Sequence, residues 1–252
     1  MELLMTNESV IKKVQHKLCS AKFVAVLTGA GISADSGVPT FRGAEGLWKQ
    51  HRAEDLASPH AFAHDPKLVW EWYSWRRELI ATKVPNLAHE ALATMAGRFS
   101  SFVLMTQNVD GLHGMAGSQD CLEMHGNIWK VRCTKCFTVT ENRDLPIVFP
   151  PQCSACGGLL RPHIVWFGEP LDPPVLDRCM HALQSCDVLL VIGTSGVVQP
   201  AASFAMMVKS AGGYTVEINL DPTPSSGSID IVITGKAKDV VPLLCENSIQ
   251  DV

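Results

Sequence analysis

The stretch Phe23-Val-Ala-Val-Leu-Thr-Gly-Ala-Gly-Ile-Ser-Ala-Asp-Ser-Gly-Val-Pro-Thr-Phe-Arg42 decides the fold class of this 252-residue chain. Its apolar run over 23–27 is rich in β-branched residues and too short for a helix, so it predicts a buried strand. The run leads into Gly29, Gly31 and Ala34, whose spacing matches the G-x-G-x-x-G/A turn that lets a backbone approach a pyrophosphate. Taken alone, the match is equally compatible with a glycine-rich turn that binds nothing.

The residues after this turn differ from an ordinary dinucleotide fingerprint, which continues through a helix and a second strand to an acidic residue about 20 positions later. Pro39 rules out a long first helix here, and Phe41 and Arg42 follow it on a loop beside the predicted phosphate site. This arrangement favours a nucleotide that is chemically consumed over one that only passes hydride.

Length and composition indicate one large domain, or a main domain with a small insert, since 46% of the residues are hydrophobic. The formal net charge is -4 and the pI is near 6.1, with no basic run, which argues against a nucleic-acid partner. No apolar run reaches the ~18 residues of a membrane span, so we expect no membrane partner.

The nine cysteines are an odd number and favour a metal site in a reducing compartment over a disulfide framework. Residues 1–10 have no signal-peptide pattern and no evident transit peptide. We therefore expect an intracellular protein of the cytoplasm or nucleus, with the mitochondrion left open.

Four of the cysteines form two C-x-x-C pairs separated by 16 residues, Cys133/Cys136 and Cys153/Cys156. This spacing is typical of a zinc ribbon in which four thiolates surround one tetrahedral Zn²⁺. Four ordinary reduced cysteines are the alternative. Because no ligand position would remain for water, the predicted zinc is structural, and it would hold a module of about 35 residues that is too small for its own core.

Further buried strands are predicted over 102–105, 187–192, 215–218 and 229–233, with helices over 8–21, 66–82, 86–98 and 173–184. The strands end in small or polar residues, which in a parallel sheet collect at one edge, where ligands bind. We predict an α/β fold: a Rossmann-like doubly wound parallel sheet with a small zinc-ribbon insert and a helical insert. The main domain would comprise 1–42, 84–128 and 166–252, the helical insert 43–83, and the zinc-binding module 129–165.

Three other features have both a structural and a functional interpretation. Tyr73 and Arg76 lie one turn apart on an unusually aromatic helix, whose aromatic residues could be core and whose arginines could be a solvated face. His125 lies between turn-forming neighbours, although a lone histidine is usually structural. The alternating segment 161–169 predicts either an exposed edge able to pair with an extended peptide or an ordinary connecting strand.

Taken together, these motifs resemble the sirtuin family over some 210 residues. The resemblance is carried, in the family's order, by the stretch from Gly29 to Arg42, Gln107-Asn-Val-Asp110, His125-Gly126, the four cysteines, Phe167-Gly-Glu169, Gly193-Thr-Ser195 and Asn219. Thr40 and Val109 depart from the commonest pattern. Thr40, Tyr73-x-x-Arg76 and Arg161-Pro-His-Ile-Val-Trp-Phe-Gly168 are similar to the class III branch, which removes malonyl, succinyl and glutaryl groups from lysine.

The resemblance implies NAD-dependent deacylation, in which NAD is consumed and the acyl group moves to ADP-ribose. It assigns His125 as the general base and Asn108 as the second catalytic residue, positioning nicotinamide together with Asp110, while Phe41 and Arg42 cover the reacting centre. Imidazole suits the base because its reference pKa lies near working pH. The implied cofactor-binding set is Gly29, Ala30, Gly31, Ala34, Phe41, Arg42, Gln107, Asn108, Asp110, Gly193, Thr194, Ser195, Asn219, Asp221 and Ala237.

The implied partners are acyl-lysine peptides and proteins, held by Tyr73, Arg76, Val165, Phe167, Gly168, Glu169 and Val197, and we expect a monomer or weak oligomer. A mono-ADP-ribosyltransferase would use the same NAD pocket with another nucleophile, and an NAD-dependent deacetylase would use it with a plain acetyl group. A non-catalytic zinc-ribbon scaffold would leave His125, Asn108 and Asp110 without a purpose, and an oxidoreductase would lack its ribose-binding acid.

Overall fold

The computed structural model describes residues 7–39, 47–48 and 51–246. The helices are α1 (Asn7–Ser20), α2 (Ala30–Ala34), α3 (Ala53–Leu56), α4 (Pro59–His64), α5 (Pro66–Ala81), α6 (Leu87–Met95), α7 (Leu112–Met115), α8 (Pro173–Ser185), α9 (Phe204–Ser210) and α10 (Ala237–Cys245). The strands are β1 (Phe23–Thr28), β2 (Leu47–Trp48), β3 (His51–Arg52), β4 (Ser101–Thr106), β5 (Leu122–Glu123), β6 (Gly126–Cys133), β7 (Val139–Glu141), β8 (Leu160–Ile164), β9 (Val188–Ile192), β10 (Tyr214–Asn219) and β11 (Ile231–Thr234). Within the described ranges, no helix combines the length and apolar character needed to span a membrane.

Six strands form one sheet in the order β11-β10-β9-β1-β4-β5, and every neighbouring pair is parallel. The central strands are in matched register, so that Thr28 lies opposite Thr106 on one side and Ile192 on the other. Their carboxyl ends therefore finish at the same level and place three loops side by side. This edge holds the candidate site.

Both faces of the sheet are covered, because side chains of a strand alternate between faces. Val24 and Val26 of β1 pack in a core with α1, α6 and α10, whereas Ala25 and Leu27 pack in a second core with α8 and α9. A strand buried on both faces has a continuous apolar run, as the sequence has over 23–27. The predicted fold class, a doubly wound parallel sheet, is confirmed.

The predicted strands and helices agree with the structure apart from their ends. The predicted strand over 229–233 begins later, at Ile231, because the Asp230 carboxylate accepts hydrogen bonds from the backbone N–H and hydroxyl of Thr215 at 2.9 and 2.8 Å. Strand β5 was not predicted. It has two residues and pairs only with the end of β4, and such a short element carries no periodicity of its own.

A third core joins the residues between α3 and α5 to the β7-β6-β8 sheet. The indole N–H of Trp70 donates to the Leu160 carbonyl at 2.9 Å, which ties α5 to β8. The predicted helical insert and zinc module thus share one hydrophobic cluster, which supplies the packing that a ~35-residue module lacks alone. Their boundaries at 43–83 and 129–165 stay a prediction.

The interpretation of the arginines of α5 as a solvated face is wrong for Arg77, which is fully buried. Its guanidinium donates to the Ile128 carbonyl at 2.7 Å and to Asn142 Oδ1 at 2.6 Å, and lies between the rings of Trp70 and Trp129. Burial lowers its pKa to about 10. Arg77 therefore fastens α5 to β6.

The segment 161–169 is strand only in its first half. Strand β8 ends at Ile164 and pairs antiparallel with β6, and it is largely buried rather than exposed. Beyond it the chain turns, because Glu169 reaches back to Arg161, whose guanidinium donates to both carboxylate oxygens at 2.6 and 2.9 Å. The predicted strand thus ends at Ile164, and residues 165–169 form a braced loop, whose pairing with an extended peptide stays a prediction.

Candidate active site

The glycine turn packs against the loop that follows β9. The N–H of Gly31 donates to the Gly193 carbonyl at 2.8 Å, and a Cβ added at Gly29 or Gly31 would lie 2.7 Å from Gly193 backbone atoms. Real Cβ atoms do not approach backbone this closely, so both glycines are required by the contact between the loops. The predicted role of these glycines, to leave space for a pyrophosphate, stays a prediction. Ala30 and Ala34 begin and end the short helix α2.

Asn108, Asp110 and Ser33 form one hydrogen-bonded group beside this turn. The Asn108 side-chain amide donates to the Gly29 carbonyl at 3.0 Å and to Ser33 Oγ at 3.1 Å. Ser33 Oγ donates to Asp110 Oδ2 at 2.8 Å, and the Leu112 N–H donates to Asp110 Oδ1 at 2.9 Å. With its NH₂ group held in this way, Asn108 has a fixed orientation of its Oδ1 atom.

Burial raises the pKa of Asp110, whereas the two hydrogen bonds that it accepts and the charge of Arg76 act in the opposite direction. Only 4% of this residue is exposed. A carboxyl group held at the edge of the parallel sheet with fixed donors suits a role in orienting a polar ligand.

Two buried histidines next to the group of Asn108, Asp110 and Ser33 were not predicted from the sequence. His89 is buried with Nε2 at 3.4 Å from Ser33 Oγ, and its ring lies 4.8 Å from that of His113. His113 Nε2 lies 2.9 Å from Thr28 Oγ1, and burial lowers the pKa of His89 to about 4 and that of His113 to about 3. Both rings are therefore neutral at pH 7. In the sequence, Ser33 of the glycine stretch is the one feature that could have drawn attention to these two histidines.

His125 is oriented by the chain segment that follows β4. Its Nδ1 atom lies 2.9 Å from the Gln107 carbonyl. Because a carbonyl can only accept, Nδ1 carries the hydrogen and Nε2 keeps its lone pair. Burial lowers the pKa of His125, against the opposing effect of this hydrogen bond, so the ring is neutral near pH 7. Gly126, next to it, has φ +80° and faces the His163 backbone, which leaves no room for a side chain.

The braced loop after β8 runs directly past His125. The Val165 N–H donates to the His125 carbonyl at 2.9 Å, and the Phe167 N–H donates to the Ala57 carbonyl at 3.0 Å. The Phe167 side chain is 52% exposed, and Gly168 has φ +86°. The Glu169 carboxylate is committed to Arg161 and the Trp166 N–H, so it braces the loop.

Helix α5 brings Tyr73 and Arg76 to the same end of the sheet. Tyr73 is 2% exposed, and its hydroxyl accepts a hydrogen bond from the indole N–H of Trp166 at 2.8 Å. Arg76 is half-buried, with its guanidinium carbon 5.2 Å from the Trp72 ring centroid. Burial lowers the pKa of Arg76, while Tyr73 and Asp110 act in the opposite direction, so Arg76 lies in the electrostatic surroundings of both.

The loops after β9 and β10 form the other half of the edge. The Asn219 side-chain amide donates to the Thr194 carbonyl at 2.7 Å, so it holds one loop against the other. Of the other predicted residues, Ser195, Val197 and Asp221 are exposed, and Ala237 is buried at the start of α10. Thr40, Phe41 and Arg42 lie outside the described residues.

The four predicted metal-ligating cysteines meet in one cluster, with all sulfur atoms within 4.8 Å of one another. Cys133 and Cys156 have their sulfurs 3.5 Å apart, and Cys136 and Cys153 have theirs 3.7 Å apart. A tetrahedral ion with bonds of about 2.3 Å needs separations of about 3.8 Å, so the cluster fits Zn²⁺. A Cβ on Gly158 would lie 2.9 Å from Cys133 Sγ, so this glycine leaves room for the sulfur cluster.

Comparisons with known proteins identify the family. Residues 29–200 match the Sir2 family, so the chain belongs to it. It is 48% identical over 231 residues to NAD-dependent protein deacylase 1 of Archaeoglobus fulgidus, covering 91% of this chain and 94% of that protein. The structure is similar to a Sir2 homologue in complex with NAD, with a TM-score of 0.88, 48% identity, and coverage of 93% and 92%.

A second solved structure is a Sir2 protein in complex with a deacetylated p53 peptide and 3'-O-acetyl ADP-ribose. It aligns with a TM-score of 0.79 and 30% identity, over 93% of this chain and 96% of that one. The sequence-based assignment to the sirtuins is confirmed.

Proposed function

We propose that this protein is an NAD-dependent protein-lysine deacylase that prefers succinyl, malonyl and glutaryl lysine over acetyl lysine. NAD would be consumed as co-substrate, giving nicotinamide and O-acyl-ADP-ribose. Membership of the Sir2 family supports the reaction class, as do the relatives named for this activity. The preference for acyl groups that carry a carboxylate rests on residues of α5.

The fixed amide and carboxyl groups would position the nicotinamide end of NAD. Asn108 offers its Oδ1 as an acceptor, because its NH₂ group is already held by Gly29 and Ser33. Asp110 lies beside it, buried and with a raised pKa. Holding the reacting groups in one geometry lowers the activation barrier. This matters here because the attacking amide oxygen is a weak nucleophile.

His125 would act as the general base. Its Nε2 lone pair is available because Nδ1 donates to the Gln107 carbonyl, and its lowered pKa keeps the ring neutral at pH 7. In this role it takes a proton from a ribose hydroxyl, whose oxygen then accepts the acyl group. The hydrogen bond from Val165 to the His125 carbonyl would hold the substrate-binding loop in register with the base.

The single observation that carries the acyl preference is the placement of Tyr73 and Arg76. Arg76 carries a positive charge next to the buried Tyr73 hydroxyl and within the electrostatic reach of Asp110, and a positive charge at this position favours a substrate group that is negatively charged over a methyl group. A substrate carboxylate would accept two parallel N–H bonds from Arg76 and a third hydrogen bond from the Tyr73 hydroxyl. A short dicarboxylic acyl group supplies that carboxylate.

The peptide backbone of the substrate would lie as a strand between residues 165–169 and 196–197. The exposed ring of Phe167 and the exposed Val197 flank this channel. The zinc ion would be structural, held by Cys133, Cys136, Cys153 and Cys156, because four thiolates leave no open position. It would contribute to the fold of the module that carries β6 and β8.

The experiment is a mass-spectrometric assay of one peptide that carries acetyl, succinyl, malonyl or glutaryl lysine, each with NAD. We expect the highest kcat/KM for a dicarboxylic acyl group and the release of O-acyl-ADP-ribose. A higher kcat/KM for acetyl-lysine would refute the acyl preference and indicate a deacetylase. ADP-ribosylated protein without acyl-ADP-ribose would indicate a mono-ADP-ribosyltransferase instead.

A further inference from the structure

Trp166 contacts the hydroxyl group that the proposed function assigns to acyl recognition. Its indole nitrogen lies 2.8 Å from Tyr73 Oη, and both side chains are 2% exposed. An indole N–H can only donate, so Tyr73 Oη must be the acceptor in this bond.

The indole of Trp166 is held on several sides. The Arg161 guanidinium carbon lies 3.4 Å from its ring centroid, and the centroid of the Phe62 ring lies 5.3 Å from that of the Trp166 ring. Its backbone N–H donates to Glu169 Oε2 at 2.9 Å, and Glu169 in turn accepts both hydrogen bonds from Arg161. Turning the indole away from Tyr73 would lose its stacking contact with the Arg161 guanidinium.

The bond from Trp166 determines whether the Tyr73 hydroxyl donates to a ligand or accepts from it. A phenol has one hydrogen to donate and lone pairs to accept with. Trp166 occupies the accepting side, and among the described residues no acceptor for the phenol hydrogen lies within hydrogen-bonding distance. Tyr73 then has a hydrogen left to donate to a ligand, and a donor at this position favours an acyl group with an anionic acceptor.

We propose that Trp166 is a specificity-determining positioning residue, which orients the Tyr73 hydroxyl so that it donates to the carboxylate of a dicarboxylic acyl group. This inference rests on the proposed function. Acyl selectivity would then depend on the braced loop 165–169 as well as on α5. Arg161 and Glu169 hold Trp166 in place, and Trp166 in turn orients the Tyr73 hydroxyl.

The test is Trp166→Phe, which keeps an aromatic ring and removes only the N–H donor. We expect kcat/KM for succinyl-lysine, relative to acetyl-lysine in the same peptide, to fall about three- to tenfold, mainly through KM for succinyl-lysine. In a Tyr73→Phe background the same substitution should change this ratio by less than about twofold, because the orienting bond then has nothing to orient.

The matched control is Trp70→Phe. Trp70 is equally buried, and its indole N–H donates at 2.9 Å to the Leu160 carbonyl, so this variant loses a comparable bond outside the pocket. It should lower stability and leave the succinyl-to-acetyl ratio within twofold. A Trp70 variant that changes the ratio as much as the Trp166 variant would overturn the proposal, because general loosening would then explain both.

An NMR measurement tests the hydrogen bond without using activity. The chain has six tryptophans, so the Trp166 indole resonance is identified by its loss in Trp166→Phe. Tyr73→Phe should move that resonance upfield, since its acceptor is gone. An unmoved resonance, or an equal change for both substrates in Trp166→Phe, overturns the role of Trp166 even if succinyl-lysine is preferred. A wild-type preference for acetyl-lysine overturns the proposed function itself, and this inference with it.

Discussion

Replacing Arg76 with methionine removes the charge from the proposed acyl pocket while keeping a long apolar side chain. Removing one partner of a desolvated, hydrogen-bonded charge pair costs roughly 2 to 5 kcal/mol. Arg76 is half-buried rather than buried and lies against Trp72 on one side, so we take the lower part of that range. A loss of about 2 to 3 kcal/mol corresponds to a decrease of about 30- to 150-fold in kcat/KM for succinyl-lysine.

The assay compares kcat and KM of Arg76→Met on succinyl and acetyl peptides of identical sequence. We expect the loss to fall on KM for succinyl-lysine, and kcat/KM for acetyl-lysine to be retained or increased because the pocket is less polar. Arg76→Lys is the matched variant. It keeps the charge but cannot form two parallel bonds, so its loss should be about tenfold, between wild type and Arg76→Met.

Equal losses on both peptides would refute this reasoning and assign Arg76 to the fold. The melting temperature of Arg76→Met is the control for a structural role, and the neighbouring Arg77, which donates to the Ile128 carbonyl of β6, is left intact in this variant. A large drop in melting temperature would likewise count against a role confined to substrate binding.

Further predictions concern the base, the metal and the buried histidines. His125→Ala should lower deacylation about 10²- to 10⁴-fold with an unchanged circular dichroism spectrum, and activity within threefold of wild type would remove His125 from its role. Cys133→Ser should release about one Zn²⁺ per chain and unfold the insert, as measured by elemental analysis and proteolysis, whereas wild-type protein free of zinc would contradict the site. Because burial depresses the pKa values of His89 and His113 to about 4 and about 3, the unfolded chain binds more protons than the folded chain below pH 6.5. Stability should therefore be complete above about pH 6.5 and fall as the pH drops toward 4, by up to about 1.4 kcal/mol per pH unit for each histidine. His113→Gln, which can keep the contact with Thr28, should roughly halve this slope in urea unfolding measured between pH 4 and 6, and an unchanged slope would show that His113 does not contribute.

The main sheet and the metal cluster were predictable because their signals are local. The run over 23–27 is apolar throughout and ends at glycine, and the same pattern recurs before Asn108 and Gly193. The parallel arrangement of these strands agrees with the predicted fold class, whereas their order in the sheet was not predicted. The cysteine spacing alone anticipated the cluster in which all four sulfurs meet.

The errors came from side chains that act over a long distance. Arg77 was expected away from the core, yet it is buried because a carbonyl of β6 and Asn142 supply acceptors that helical periodicity does not reveal. The segment through Glu169 has the alternation of a strand, but its carboxylate pairs with Arg161 and turns the chain. In both cases a buried charge and its partner outweighed the local pattern.

What the sequence by itself determined is the set of elements and their order, because backbone preference and apolar periodicity act over a few residues. What only the tertiary structure decided is which polar groups of the site already have hydrogen-bond partners within the protein. Glu169 is committed to Arg161, Asn108 to Gly29 and Ser33, and Tyr73 accepts from a tryptophan 93 positions away along the chain. A hydrogen bond between distant residues depends on direction and distance after folding, and these in turn determine what each site residue has left to offer a ligand.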